Sequence, residues 1–217
     1  PAERNAIALS GGIEVIVCNM VSHNGNGPVQ EAGCAALKML ALDSVENIQQ
    51  ITASGGVNAV VNAMNTHNTQ SVHVAACAAL KNLSWDCGET QSVIVRMGGI
   101  RAIVTAMRQH LECVHVQFKA CAALQNITTH NDAAITFLTL DGGCVLVIAA
   151  MWKHKHCLAL QRKGCALLRR LYDKQGAGDV KEIVRVVLAA MAQHRAEACI
   201  QEQACKLLRC VAVRNAG

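Results

Sequence analysis

Aromatic residues are nearly absent from this chain. They make up 2% of its 217 residues, and there are only two prolines, Pro1 and Pro28. A core without rings has to be aliphatic, and apolar residues at 52% supply it from Ala, Val, Ile, Leu, Met and Cys. The scarcity of proline suits a mostly helical chain, because proline removes a backbone donor and clashes inside a helix. Long apolar runs are missing as well: none approaches the roughly 18 residues of a membrane span. The N-terminus does not have the basic-then-apolar layout of a secretory signal. Charge of one sign is nowhere concentrated, and the net charge of +5 is spread along the chain. No Gly-x-Ser-x-Gly, P-loop or dinucleotide fingerprint occurs. The one glycine-rich run, Asn24-Gly25-Asn26-Gly27, leads into Pro28 and reads as a loop between helices, not a phosphate cradle.

What is present is repetition. Gly-Gly pairs stand at Gly11-Gly12, Gly55-Gly56, Gly98-Gly99 and Gly142-Gly143. A Met-x-x-His step follows each, at Met20/His23, Met64/His67, Met107/His110 and Met151/His154, and returns without glycines at Met191/His194. A Cys-x-x-Leu pair closes every unit, at Cys34, Cys77, Cys121, Cys165 and Cys205. The spacing is 43 or 44 residues, falling to 40 in the last unit. A period of roughly 40–47 residues with helical patterning marks a stacked helical solenoid. Such units pack only on their neighbours, so length does not divide the chain into separate globular domains. The expected units are about 1–43, 44–86, 87–130, 131–174 and 175–217, within one solenoid. The chain opens at Pro1, partway into a unit, and reads as a segment of a longer solenoid.

After each Gly-Gly the apolar residues fall at i, i+3, i+4, i+7, the stripe of a half-buried helix. The stripes are Ile13, Ile16, Val17, Met20, then Val57, Val60, Val61, Met64, then Ile100, Ile103, Val104, Met107. The fourth and fifth are Cys144, Val147, Ile148, Met151 and Val184, Val187, Leu188, Met191. A further helix carries the Cys-x-x-Leu pair, and a short one precedes each Gly-Gly, as at Ile48 to Ser54 and Gln91 to Met97. Each unit therefore has a short first helix, a glycine turn, a middle helix, a polar loop and a longer third helix. In the fifth, Glu182-Ile183 replaces the glycines and Asp173 to Gly178 displaces the first helix, so an irregular link is expected there.

The five repeating cysteines occupy a helix-core position and act as small hydrophobes, expected buried and unbridged. The other seven follow no disulfide framework, which points to a reducing compartment, the cytoplasm or else the nucleus. The five histidines end their middle helices, where an imidazole can bond the last carbonyls and complement the dipole. Packed helices about 10 Å apart keep neighbouring histidines from sharing one metal. Cys113-x-His115 and His154-x-His156-Cys157 lack a second ligand pair at zinc-finger spacing. The residues that break the repeat, Trp85, Phe118, Phe137, Trp152 and Tyr172, are apolar rather than acids, bases or nucleophiles. No enzyme, metal or cofactor is expected.

This pattern resembles the armadillo repeat, in which a glycine turn precedes an alanine- and leucine-rich third helix with an Asn near its end. The resemblance covers residues 1–213 and implies an all-α, right-handed solenoid of stacked three-helix units. It implies a concave groove lined by third helices, where the Asn holds an extended peptide by its backbone. That column here reads Met39, Asn82, Asn126, Arg170 and Cys210. An asparagine there can equally satisfy a neighbouring backbone group, and both roles remain open at this point. One residue earlier the column is Lys38, Lys81, Gln125, Arg169 and Arg209, four of five basic. Lys119, Arg162, Lys163 and Lys206 join the same helices, against few acids, chiefly Glu31 and Glu202. The site expected is therefore Lys38, Lys81, Asn82, Gln125, Asn126, Arg169, Arg170 and Arg209, binding an extended acidic protein segment. Nuclear-import adaptors of the family carry a Trp four residues before the Asn. Here those positions are Ala35, Ala78, Ala122, Ala166 and Lys206, so a basic import signal is not the expected ligand. Nucleic acid is the rival, since a basic column can follow phosphates, but stacking platforms for bases are missing. A purely architectural segment of a larger protein is the other alternative.

Overall fold

A computed structural model describes residues 2–214. The first unit holds α1 (Ala2–Leu9), α2 (Gly12–Ser22) and α3 (Gly27–Leu40). The second holds α4 (Val45–Ala53), α5 (Gly56–Thr66) and α6 (Gln70–Leu83). The third holds α7 (Gly88–Arg96), α8 (Gly99–Gln109) and α9 (Val114–Ile127). The fourth holds α10 (Asp132–Leu140), α11 (Gly143–Lys153) and α12 (Leu158–Gln175). The last has two helices, α13 (Val180–Gln193) and α14 (Ala198–Arg214). There is no strand among the described residues. Every extensive helix–helix contact lies within a unit or between consecutive units, and the third helices α3, α6, α9, α12 and α14 pack side by side in that order. The chain is a stack of these helical units, an all-α solenoid.

The two glycines of each turn do different work. Gly98 has φ +79, the left-handed conformation that a β-carbon resists. Gly99 has an ordinary φ but no room: a β-carbon would lie 2.6 Å from Ile94 Cγ2 and 3.0 Å from the Ile94 carbonyl oxygen. The same kind of turn at Gly142-Gly143 bends α10 and α11 by 72°. First helix and middle helix thus stand at a steep angle to each other, and the apolar stripe of the middle helix turns onto the third.

Burial follows the expected stripes in the first four units. Ile13, Val57, Ile100 and Cys144 are buried, as are Met20, Met64, Met107 and Met151. Cys34, Cys77, Cys121 and Cys165 are buried too, and burial pushes each of these thiols up to about 12. All twelve cysteines are unbridged.

The last unit departs from expectation in two ways. Cys205 is exposed, not buried. In α13 the buried residues are Ile183, Val186, Val187 and Ala190, while Leu188 is 50% exposed and Val184 and Met191 are half-buried. The physical reason is the same for both. Among the described residues no further unit packs on the outer side of α13 and α14, so only the face turned to α11 and α12 is covered.

No short helix lies between α12 and α13. Helix α12 runs 18 residues, against 14 for α9, and stops at Gly176, whose φ is +62. The link then packs on α11, where Cys144 Sγ donates to the Ala177 carbonyl at 3.2 Å. Asp179 starts α13 by accepting from the Lys181 amide at 2.8 Å.

Candidate ligand-binding face

Side chains that cross from one unit to the one before it hold the third helices in register, at both ends in three of the four seams. At the start of the third helix, His67, His154 and His194 donate through Nε2 to the carbonyls of Asn24, Leu111 and Lys155, at 2.7, 2.7 and 2.8 Å. These are not carbonyls of the histidine's own helix, as the sequence reading had it, but of the preceding unit's loop. At the other end, Asn82 and Asn126 donate through Nδ2 to the carbonyls of Lys38 and Lys81, at 2.9 and 2.8 Å. Arg170 does the same to the Gln125 carbonyl, and Arg214 to that of Asp173 at 2.7 Å. The asparagines and Arg170 thus belong to the frame of the face, because the last carbonyls of a helix have no partner within it. Burial lowers the pKa of Arg170, as does neighbouring Arg169.

A second set of bonds was missed from sequence. Gln30, Gln117, Gln161 and Gln201 each donate Nε2 to two carbonyls, those of the Met and the His that end the middle helix. The signal was there: each glutamine follows its histidine by seven residues. In the second unit His73 stands in that place and reaches only the Met64 carbonyl, at 3.0 Å.

The basic residues fall into groups. Lys38 and Lys81 are half-buried on α3 and α6, and Lys119 and Lys163 are half-buried on α9 and α12. Burial lowers the pKa of Lys119, and Lys81 and Lys38 lower it further. Lys163 is lowered by burial first, then by Arg162 and Lys81. Lys119 therefore feels Lys81 and Lys38, and Lys163 feels Lys81, so the four ammonium groups are linked through Lys81 across four helices. Lys163 Nζ donates to Gln125 Oε1 at 2.6 Å, and Lys81 Nζ to Asn82 Oδ1 at 3.3 Å. Lys119 Nζ stands 5.3 Å from the centre of the Phe118 ring. Among the described residues no carboxylate pairs with any of the four; the ion pairs join other residues, such as Lys153 with Glu112 and Lys206 with Glu202. Arg169 stands about two-thirds of the way along α12, its Nε buried without a partner, and lines a recess with His130, Asp132 and Asp173. Arg209 is exposed beside Asp173 at the last seam, away from the lysines. The structure thus gathers Lys38, Lys81 and Gln125 with Lys119 and Lys163, and does not bring Arg209 to them.

The described residues contain no group of three or more His, Cys, Asp or Glu arranged to hold a metal, and no single helix long and apolar enough to cross a membrane.

The profile of the LRRK2 ARM repeat family matches residues 53–215, three-quarters of the chain. The chain belongs to the LRRK2 ARM repeat family. No curated protein matches this ARM repeat chain. Among solved structures, it is similar to a crystallised engineered protein with a TM-score of 0.76 and 24% identity, covering 98% of this chain and 85% of that one. A second engineered protein gives 0.77 and 24%, covering 97% and 50%. A third gives 0.72 and 21%, covering 97% and 85%. At such identities the likeness concerns the fold alone, and it agrees with the ARM assignment.

Proposed function

We propose that this solenoid is an interaction scaffold, not a catalyst, whose third-helix face receives an extended acidic segment of a partner protein. The observation that carries the reading is the gathering of Lys38, Lys81, Lys119 and Lys163, none of them ion-paired to a carboxylate among the described residues. Like charges held together and partly desolvated are unfavourable alone, and an anion that joins them relieves the cost. Successive units offer such a ligand a few side chains at a time, which suits an extended chain. Gln125, bonded to Lys163, belongs to the surface, while Asn82, Asn126 and Arg170 support it. A reducing compartment, cytoplasmic or nuclear, suits its free thiols.

The test is fluorescence anisotropy of a labelled ten-residue Glu/Ser peptide against wild type and Lys81→Glu/Lys119→Glu. An exposed charge pair contributes about 0–1 kcal/mol, so replacing attraction by repulsion at two positions is expected to weaken binding about tenfold at low salt. The difference should shrink as the Debye length falls to about 8 Å near physiological ionic strength. A single-stranded oligonucleotide serves as the second arm. Its binding more tightly than the peptide favours nucleic acid, and equal peptide affinity in both proteins moves the site off this face.

A further inference from the structure

Beside the lysines the face changes character. The residues four places beyond the basic column are Leu42, Trp85, Thr129, Asp173 and Val213, and the first two units alone set two large apolar side chains next to each other there. Trp85 is 60% exposed, in a chain with only two tryptophans. It walls two recesses. The smaller, of about 160 Å³, is lined by Ala41, Leu42, Asp43, Lys81, Asn82 and Trp85. The larger, of about 420 Å³ on the other side, has polar walls that include Gln91, Asn126 and Thr129.

Hydrogen bonds hold two walls of the smaller recess. Asn82 is anchored to the Lys38 carbonyl, and Arg4 Nη1 donates to the Leu42 carbonyl at 2.8 Å. Asp43 turns the chain at its rim with φ +57. A site ordered in advance loses less freedom on binding. A volume of roughly 150 Å³ is enough to hold a benzene ring. An indole wall favours a ring partner in offset or edge-to-face contact. Lys81 belongs both to this recess and to the lysine group.

We propose that the Trp85 recess is a side-chain pocket for an aromatic residue flanked by acidic ones, the anchor of the extended segment. The proposal rests on the acidic-segment reading and deepens it: the lysines supply general attraction, and the recess supplies register and selectivity. Exposed tryptophan in a preformed pocket with charge beside it is the composition of an interface hot spot. The flanking acid meets Lys81, one helical turn before Trp85.

Trp152→Phe leaves Trp85 as the sole tryptophan, so its emission reports on the recess directly. The probes are ten-residue Glu/Ser peptides with one phenylalanine moved through successive positions, and a counterpart with alanine instead. At one or more positions, phenylalanine is expected to tighten binding roughly tenfold over alanine and to shift Trp85 emission. Trp85→Ala, at an exposed position where the fold is not at risk, should return that peptide to the affinity of the alanine one. The gain should persist in salt that weakens the alanine peptide. No gain at any position, or a gain that survives Trp85→Ala, overturns the proposal. An emission shift that follows protein concentration without peptide assigns the recess to self-association and also overturns it. The two readings separate cleanly. A phenylalanine gain with no response of the alanine peptide to Lys81→Glu/Lys119→Glu upholds the recess and removes the lysine groove. The reverse result upholds the groove and removes the recess.

Discussion

At the scale of single residues, His73 is where the repeat rule fails with consequence. The loop between α5 and α6 spans residues 67–69, one fewer than the four of the other units, and His67 is extended, with ψ 125. The glutamine of that column is replaced by His73, whose Nδ1 is buried without a partner, and His110 Nε2 is equally unpartnered. The two rings lie 5.0 Å apart, tilted by 59°. Burial, and secondarily His110, hold the His73 pKa below the ordinary histidine value, against the opposing bond to Met64. Below about pH 6.5 the unfolded chain therefore takes up a proton that the folded chain refuses. Stability present above that pH is lost as pH falls toward the depressed value. Melting temperatures followed by circular dichroism should drop more between pH 7 and 5 for wild type than for His73→Gln. Parallel slopes would show the pair to be inert. The sequence displayed these residues but not their bonds. Asn82 and Asn126 were visible as a column; whether an amide faces a ligand or a neighbour's carbonyl depends on how units 43–45 residues apart stack. Lys119 and Lys163 were visible as helix residues, and only the stacking shows that they share a field with Lys81.

At the scale of the element, the glycine turn was legible in full, because a left-handed residue followed by a crowded one leaves glycine as the residue for both. The two positions should fail for separate reasons. Gly98→Ala is expected to cost about 1–2 kcal/mol from backbone strain. Gly99→Ala is expected to cost about 1–3 kcal/mol as its methyl meets Ile94. Urea denaturation of each variant measures this, and a neutral Gly99→Ala would mean that α7 shifts freely to make room. The stripes held in the first four units, each followed by another, and failed in the last, which none follows among the described residues. Periodicity locates apolar residues, but burial is a relation between neighbours, which is why α13 presents Ile183 and Ala190 to the core while Leu188 faces outward.

At the scale of the whole molecule, the thiols report on how far the stack opens. Cys18 and Cys205 are exposed, whereas Cys34, Cys77, Cys121 and Cys165 run through the core with pKa values near 12. Thiolate is the reactive form, so native-state alkylation read by mass spectrometry should modify Cys18 and Cys205 first. The four core thiols should react only through local opening of their units. Equal rates at Cys77 and Cys18 would contradict a closed stack. The cross-unit bonds add a mechanical dimension. Three seams are pinned at both ends of their third helices; the seam between the second and third units lacks the histidine pin, since His110 finds no carbonyl. Its third helices are pinned at one end, by Asn126 on the Lys81 carbonyl, and its first helices are tied by Thr52 Oγ1 and Thr90 Oγ1 at 2.9 Å. Packing along α6 and α9 stays extensive there, so the missing pin frees one end of the seam and not the whole of it. The pinned end is the one that carries Lys81 and Trp85, so any give in this seam falls at the opposite, loop end of α6 and α9 and leaves the recess beside Trp85 undisturbed.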